Sequence, residues 1–123
     1  MKVITTIELT ERKRGSRCCA DTDQYQLSMD DAQQISDDLQ ILGHPVRLQL
    51  INILARSPDQ VCVCDLEAAV PVKQPTVSHH LRLLREAGLI DCERRGLWAY
   101  YFVRREELAA LRARVAGQLA ALA

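Results

Sequence analysis

Five cysteines among 123 residues carry the most evident chemistry of this chain, and they are unevenly spaced. Cys62-Val63-Cys64 is a pair two positions apart, Cys18-Cys19 are adjacent, and Cys92 stands alone. Thiolate sulfur binds soft ions, which take three or four such donors. Residues two apart point about 200° away from each other in a regular helix, whereas in an extended strand they share a face. If Cys62 and Cys64 are to hold one ion, a helix must begin at about Cys64, with the backbone of Cys62 and Val63 extended or distorted. The positive end of that helix favours thiolate over thiol, partly opposed by Asp65 and Glu67. Two sulfurs do not complete a site, and Cys18 and Cys19 can supply the remainder. The same pairs can instead oxidise to disulfides, and Cys62 and Cys64 can also be read as two small buried hydrophobes. Cys92 lies in a strand-like run and is expected in the core.

The elements that must position these sulfurs follow from periodicity and punctuation. Residues 1–27 show no sustained period and read as a polar, mobile arm that carries Cys18 and Cys19; residues 28–123 read as one domain. Ser28 is a helix cap, Asp30 and Asp31 occupy the first turn, and Ala32, Ile35, Leu39 and Leu42 follow at helical spacing until Gly43. A second helix starts at about His44 with Pro45 in its first turn and closes at Ser57-Pro58-Asp59. A short third helix covers roughly residues 65–69 and stops before Pro71. Pro75 opens a fourth, and Gly88 ends it. Residues 89–103 hold two β-rich runs flanking Glu93-Arg94-Arg95-Gly96, which predicts a hairpin with a charged tip. The last helix runs from about Glu106, with Leu108, Leu111, Val115, Leu119 and Leu122 in a narrow stripe that has no evident use within one chain. The fold class is therefore mainly α with a small β-hairpin.

Sixteen basic and sixteen acidic residues cancel, so an overall basic charge does not point to nucleic acid. The charges are unevenly placed, however, with Arg12, Lys13, Arg14 and Arg17 in one cluster and Asp30, Asp31, Asp37 and Asp38 in another. A short helix, a break at Val70-Pro71-Val72 and a longer amphipathic helix make a helix-turn-helix. Its second helix would lie in the major groove of double-stranded DNA. Gln74 and Thr76 can read base edges, Ser78 and His79 can serve a base or a phosphate, and Lys73 and Arg82 suit phosphates. Arg94 and Arg95 at the hairpin tip can reach a neighbouring groove as a wing. The competing reading of the same helix is a solvated polar face. His79 and His80 are both assigned to the DNA side, and His44 to a structural role.

No stretch is apolar and long enough to span a bilayer, and the first fifteen residues lack a signal-peptide core. A cytoplasmic location follows, where thiols stay reduced. No nucleophile–base–orienter set or phosphate loop is present, so an enzyme is not expected.

The runs LGHPVRLQLINIL, CVCDLEAAVPVKQPTVSHHLRLLREAGLI and ERRGLWAYYFV resemble the ArsR/SmtB family of metal-sensing bacterial repressors over about residues 39–103. The resemblance implies a winged helix-turn-helix homodimer built on the first and last helices, with which the stripe from Leu108 to Leu122 agrees. A two-fold dimer presents its recognition helices about 34 Å apart, which implies an inverted-repeat operator. It also implies an apo repressor that releases DNA when thiolates take up a soft ion. In the CadC-like branch an arm cysteine pair joins such a Cys-Val-Cys pair across the dimer; here the arm cysteines are adjacent. A four-thiolate site from Cys18, Cys19, Cys62 and Cys64 suits Cd(II) or Zn(II), and a three-thiolate site with one arm cysteine suits As(III), Sb(III) or Pb(II). The arsenic branch often carries a third cysteine where this chain has Glu67, so an arsenic site would recruit the arm. The family's second, zinc-favouring site on the last helix lacks its residues here, since residues 104–123 contain no histidine or aspartate. A thiol-redox-responsive repressor of the same fold and a constitutive DNA-binding protein are the alternatives.

Overall fold

The structure is a computed structural model that describes residues 22–123. After a 3-10 turn at Asp23–Tyr25, five helices and three short strands follow: α1 (Met29–Leu42), α2 (Pro45–Arg56), β1 (Val61–Cys62), α3 (Val63–Ala68), α4 (Gln74–Glu86), β2 (Ile90–Arg95), β3 (Trp98–Val103) and α5 (Arg105–Ala121). This is a winged helix-turn-helix: α3 and α4 are the helical pair, and β2 and β3 are the wing.

Local chemistry accounts for the boundaries. The Ser28 hydroxyl accepts from the Asp31 amide at 3.0 Å and starts α1, as a cap should. His44 Nδ1 accepts from the Val46 amide at 3.1 Å and starts α2, with Pro45 in the first turn. The last carbonyls of α2 have no helical partner, and Arg105 at the start of α5 donates to two acceptors there, Ala55 and Ser57, each at 3.1 Å. Gly88 (φ +80°) lets the chain leave α4 and enter β2.

The sheet is antiparallel in the order β1-β3-β2. Strand β1, too short to show a period, was not expected; it sets Val61 opposite Tyr101 and Cys62 opposite Tyr100. The hairpin turn also differs from expectation. Glu93, Arg94 and Arg95 belong to β2, and Arg95 pairs with Trp98, so the turn is Gly96-Leu97. Gly96 (φ +63°) occupies the first central position, where a two-residue loop of this kind requires glycine.

One core joins all layers. Val46, Leu50, Ile51 and Leu54 of α2 meet Leu66, Val77, Leu81, Leu84, Ile90, Val103 and Leu111. Leu111 is buried within the single chain, and Leu108 and Val115 pack against the same core. The expectation that the α5 stripe has no use within one chain is therefore corrected for these three, because α5 must close the core over α2. Leu119 and Leu122 remain 57% and 73% exposed. A polar contact ties α1 to α5: Asp38, only 4% exposed, accepts from Arg114 Nε at 2.7 Å and Nη2 at 2.9 Å. Among the described residues no helix is long and apolar enough to cross a membrane.

Candidate nucleic-acid interface and thiolate pair

Helix α4 divides cleanly by face. Val77, His80, Leu81 and Leu84 are buried, while Gln74, Thr76, Ser78, His79 and Arg82 are exposed, with Lys73 exposed at the cap. The periodicity explains this, since residues three and four apart share a side of a helix. His80 lies three after Val77 and four before Leu84, so its assignment to the DNA side is corrected: it is buried with them. His79 remains outside, where its Nδ1 lies 3.0 Å from Arg82 Nη2 and accepts from it. Leu83, between the two faces, is half-buried.

The wing stands beside this helix, joined to its end by Arg85, whose Nε donates to Asp91 at 3.0 Å. That contact and, more strongly, the Cys92 amide hold the Asp91 carboxyl below its ordinary pKa. Arg95 is pinned along the strand. Its guanidinium lies 4.9 Å from the Tyr100 ring centre and donates to Gln60 at 2.8 Å. Arg94 pairs across the ladder with Ala99 and is exposed. At the tip, Leu97 is 90% exposed and Trp98 about half exposed. Neither was singled out from the sequence, although two large apolar residues directly after a turn glycine were a visible signal.

Cys62 is extended (φ −62°, ψ 140°) and sits at the N-cap position of α3 without a side-chain cap bond, while Cys64 is already inside the helix. The expected change from extended to helical backbone is present, although the helix starts one residue earlier than the sequence suggested. It brings the two sulfurs to 2.7 Å, both as free thiols, with Cys62 half-buried and Cys64 exposed. The expectation of a thiolate-favouring position is corrected for Cys64. The hydrogen bond to Cys62 pushes its pKa up, followed by desolvation and by the charges of Cys62 and Asp65. The Asp65 amide pulls the other way, but by less. Zinc–sulfur bonds of about 2.3 Å in a tetrahedral site place two sulfurs about 3.8 Å apart, so the pair must open by about 1 Å to chelate an ion of that size. Among the described residues no group of three ligating side chains forms. Cys18 and Cys19 lie outside the described residues. Cys92 is half-buried on β2, opposite Tyr101, which packs on the core.

Comparison with known proteins gives a consistent result. The sequence profile of the "Bacterial regulatory protein, arsR family" matches residues 44–91, which contain α2, the thiolate pair and the helix-turn-helix. A transcriptional repressor SmtB homolog of Synechocystis sp. is 44% identical over 61% of this chain and 55% of its own length. The cadmium resistance transcriptional regulatory protein CadC of Listeria innocua is 32% identical over 60% of this chain and 61% of its own length. This chain thus spans between about half and two thirds of the lengths of these two relatives. The crystal structure of a possible transcriptional regulator for arsenical resistance is 35% identical, with a TM-score of 0.57, over 63% of this chain and 78% of that one.

Proposed function

From the premise that the chain belongs to the ArsR family of bacterial regulatory proteins, we propose that it is a cytoplasmic, homodimeric repressor that holds an inverted-repeat operator in its ion-free form. The observation that carries this reading is the division of α4, whose exposed face presents Gln74, Thr76, Ser78, His79 and Arg82 while its back is buried. Leu119 and Leu122, left exposed at the end of α5, supply apolar surface for the dimer.

The inducer in this proposal is a soft ion, Cd(II), Pb(II), Zn(II), As(III) or Sb(III). Cys62 and Cys64 would hold it, and Cys18, Cys19 or both, on the arm formed by residues 1–27, would complete the donor set. The position of Cys62 explains how such a site reaches DNA-reading parts. Cys62 pairs with Tyr100 of the wing and also sits at the N-cap position of α3, the first helix of the helix-turn-helix. A pull on Cys62 from the arm therefore acts on the wing and on the helix-turn-helix together. A thiol-redox switch is the second reading, favoured by the 2.7 Å approach of two free thiols. Release by peroxide and reversal by thiol, without any ion, would select it.

Footprinting and mobility-shift titration test the DNA assignment. Two protected half-sites about one helical turn apart are expected, and protection of one asymmetric half-site by a monomer would contradict the proposal. Lys73→Gln and Arg82→Gln should each weaken binding on all sequences and lower the logarithmic salt slope by about 1. Trp98 is the single tryptophan, so its fluorescence should change on operator binding if the wing enters a groove.

A further inference from the structure

A polar relay lies behind the recognition helix, apart from the thiols. His80 is 6% exposed on the back of α4, with Nδ1 3.2 Å from Arg47 Nη1. A guanidinium donates and never accepts, so Nδ1 is the acceptor and the imidazole is neutral with its proton on Nε2. The same Arg47 donates through Nε to the Ile41 carbonyl at 2.7 Å and through Nη2 to the Gln40 carbonyl at 3.0 Å. These lie in the last turn of α1, where carbonyls lack the partner four residues on, and the Gln40 carbonyl also accepts from the Gly43 amide at 3.2 Å. His44, which caps α2, lies against His80 with ring centres 4.2 Å apart and planes tilted by 37°. One arginine and two histidines thus join the end of α1, the start of α2 and the back of α4. The remaining contacts of α4 with the core are apolar and give little directional restraint, and its other polar tie, Arg85 to Asp91, holds only the far end of the helix to the wing.

We propose that His80 is a positioning residue for DNA reading: neutral, it registers the recognition helix against the α1–α2 junction through Arg47, and protonated it lets that register go. This rests on the DNA-binding role of α4 proposed above. The groups acting on His80 are His44 from the junction, Arg47 from α2 and His79 on α4 itself, none of them a carboxylate. Burial first, and these neighbours second, lower its pKa from the ordinary 6.5. The sign follows from that direction. Above pH 6.5 the imidazole is neutral folded or unfolded, so the packed arrangement has its full stability. Below it the unfolded chain takes up the proton first, and stability falls until the folded pKa is passed. Protonation then removes the acceptor from Arg47 and sets two cations 3.2 Å apart.

The test compares the unaltered chain with His80→Asn, which keeps an acceptor near the Nδ1 position but cannot titrate, and with His80→Leu, which has none. At about pH 8, His80→Asn should bind operator within a few-fold of the unaltered chain. His80→Leu should bind about tenfold more weakly, the worth of one charge-assisted hydrogen bond. Between about pH 7 and pH 5, operator affinity should fall more steeply for the unaltered chain than for His80→Asn. Amide hydrogen exchange of α4 without DNA, corrected for intrinsic rates, should accelerate over the same interval only where His80 is present. Identical exchange and identical pH profiles for the unaltered chain and His80→Asn would overturn the proposal. Acid-dependent exchange in α4 without operator binding at any pH would instead refute the DNA-binding reading and leave the relay standing.

Discussion

Arg114→Leu is expected to lower the free energy of unfolding by about 3 kcal/mol, the lower end of the range for breaking a buried pair. Asp38 is nearly inaccessible and accepts two hydrogen bonds from Arg114 and a third, at 3.2 Å, from Gln34 Nε2. Without the guanidinium its carboxylate keeps one neutral donor, from Gln34, and is left a buried charge without a counter-ion. The arginine side chain is 39% exposed, which holds the loss to that lower end. Asp38→Leu combined with Arg114→Leu should recover most of the stability, because a buried pair replaced by apolar side chains leaves no charge unpaired. Denaturant unfolding of the single and double variants at fixed protein concentration measures this. The contact joins α1 to α5, so the single variant should also weaken the proposed dimer, and its melting temperature should depend more strongly on concentration. A loss below 1 kcal/mol for Arg114→Leu would show that solvent already screens the pair.

Cys62→Ser is expected to leave operator affinity within about twofold in the absence of ion and to abolish inducer response. Coupling between an effector and a second ligand is typically about 1–3 kcal/mol, so the unaltered chain should lose between several-fold and about a hundredfold of its operator affinity on induction. Serine is close in size and suits the N-cap position that Cys62 holds without a side-chain bond, so α3 and the pairing with Tyr100 are kept, but its oxygen is a poor donor to a soft ion. By reciprocity, operator DNA should weaken ion uptake by the same factor. Uptake should also release protons and weaken in acid, because Cys64 begins as a thiol whose pKa Cys62 raises. A normal inducer response from Cys62→Ser in a mobility-shift assay would show that the thiolate site is misassigned.

Much of this fold can be read from residue types in order. Ser28, Pro45, Pro75 and Gly88 mark helix ends through local chemistry, and the structure puts them at those ends. Features set by longer-range packing were harder to read. Strand β1 has two residues and exists only because β3 offers a partner. Arg94 and Arg95 look like loop residues by polarity, yet only Gly96 has the backbone freedom the turn needs. His80 was assigned by its polar type, although its spacing from Val77 and Leu84 puts it on the buried face. Asp38 is, by sequence, one of a cluster of four acids, and its burial is not legible there because its partner Arg114 is 76 residues away. The change of backbone at Cys62 was legible, since sharing an ion by a pair two apart demands it. The protonation of Cys64 was not, because it depends on the separation of the sulfurs.

The most direct test of the sensor account is titration of the reduced chain, bound to operator, with Cd(II), Pb(II), Zn(II) or As(III), following sulfur-to-metal ultraviolet bands and DNA release in the same sample. For at least one ion, bands and release should saturate at the same stoichiometry, and both should be lost in Cys62→Ser and diminished when Cys18 and Cys19 are both replaced by serine. Full development of the bands with the operator still bound for every ion would contradict the account.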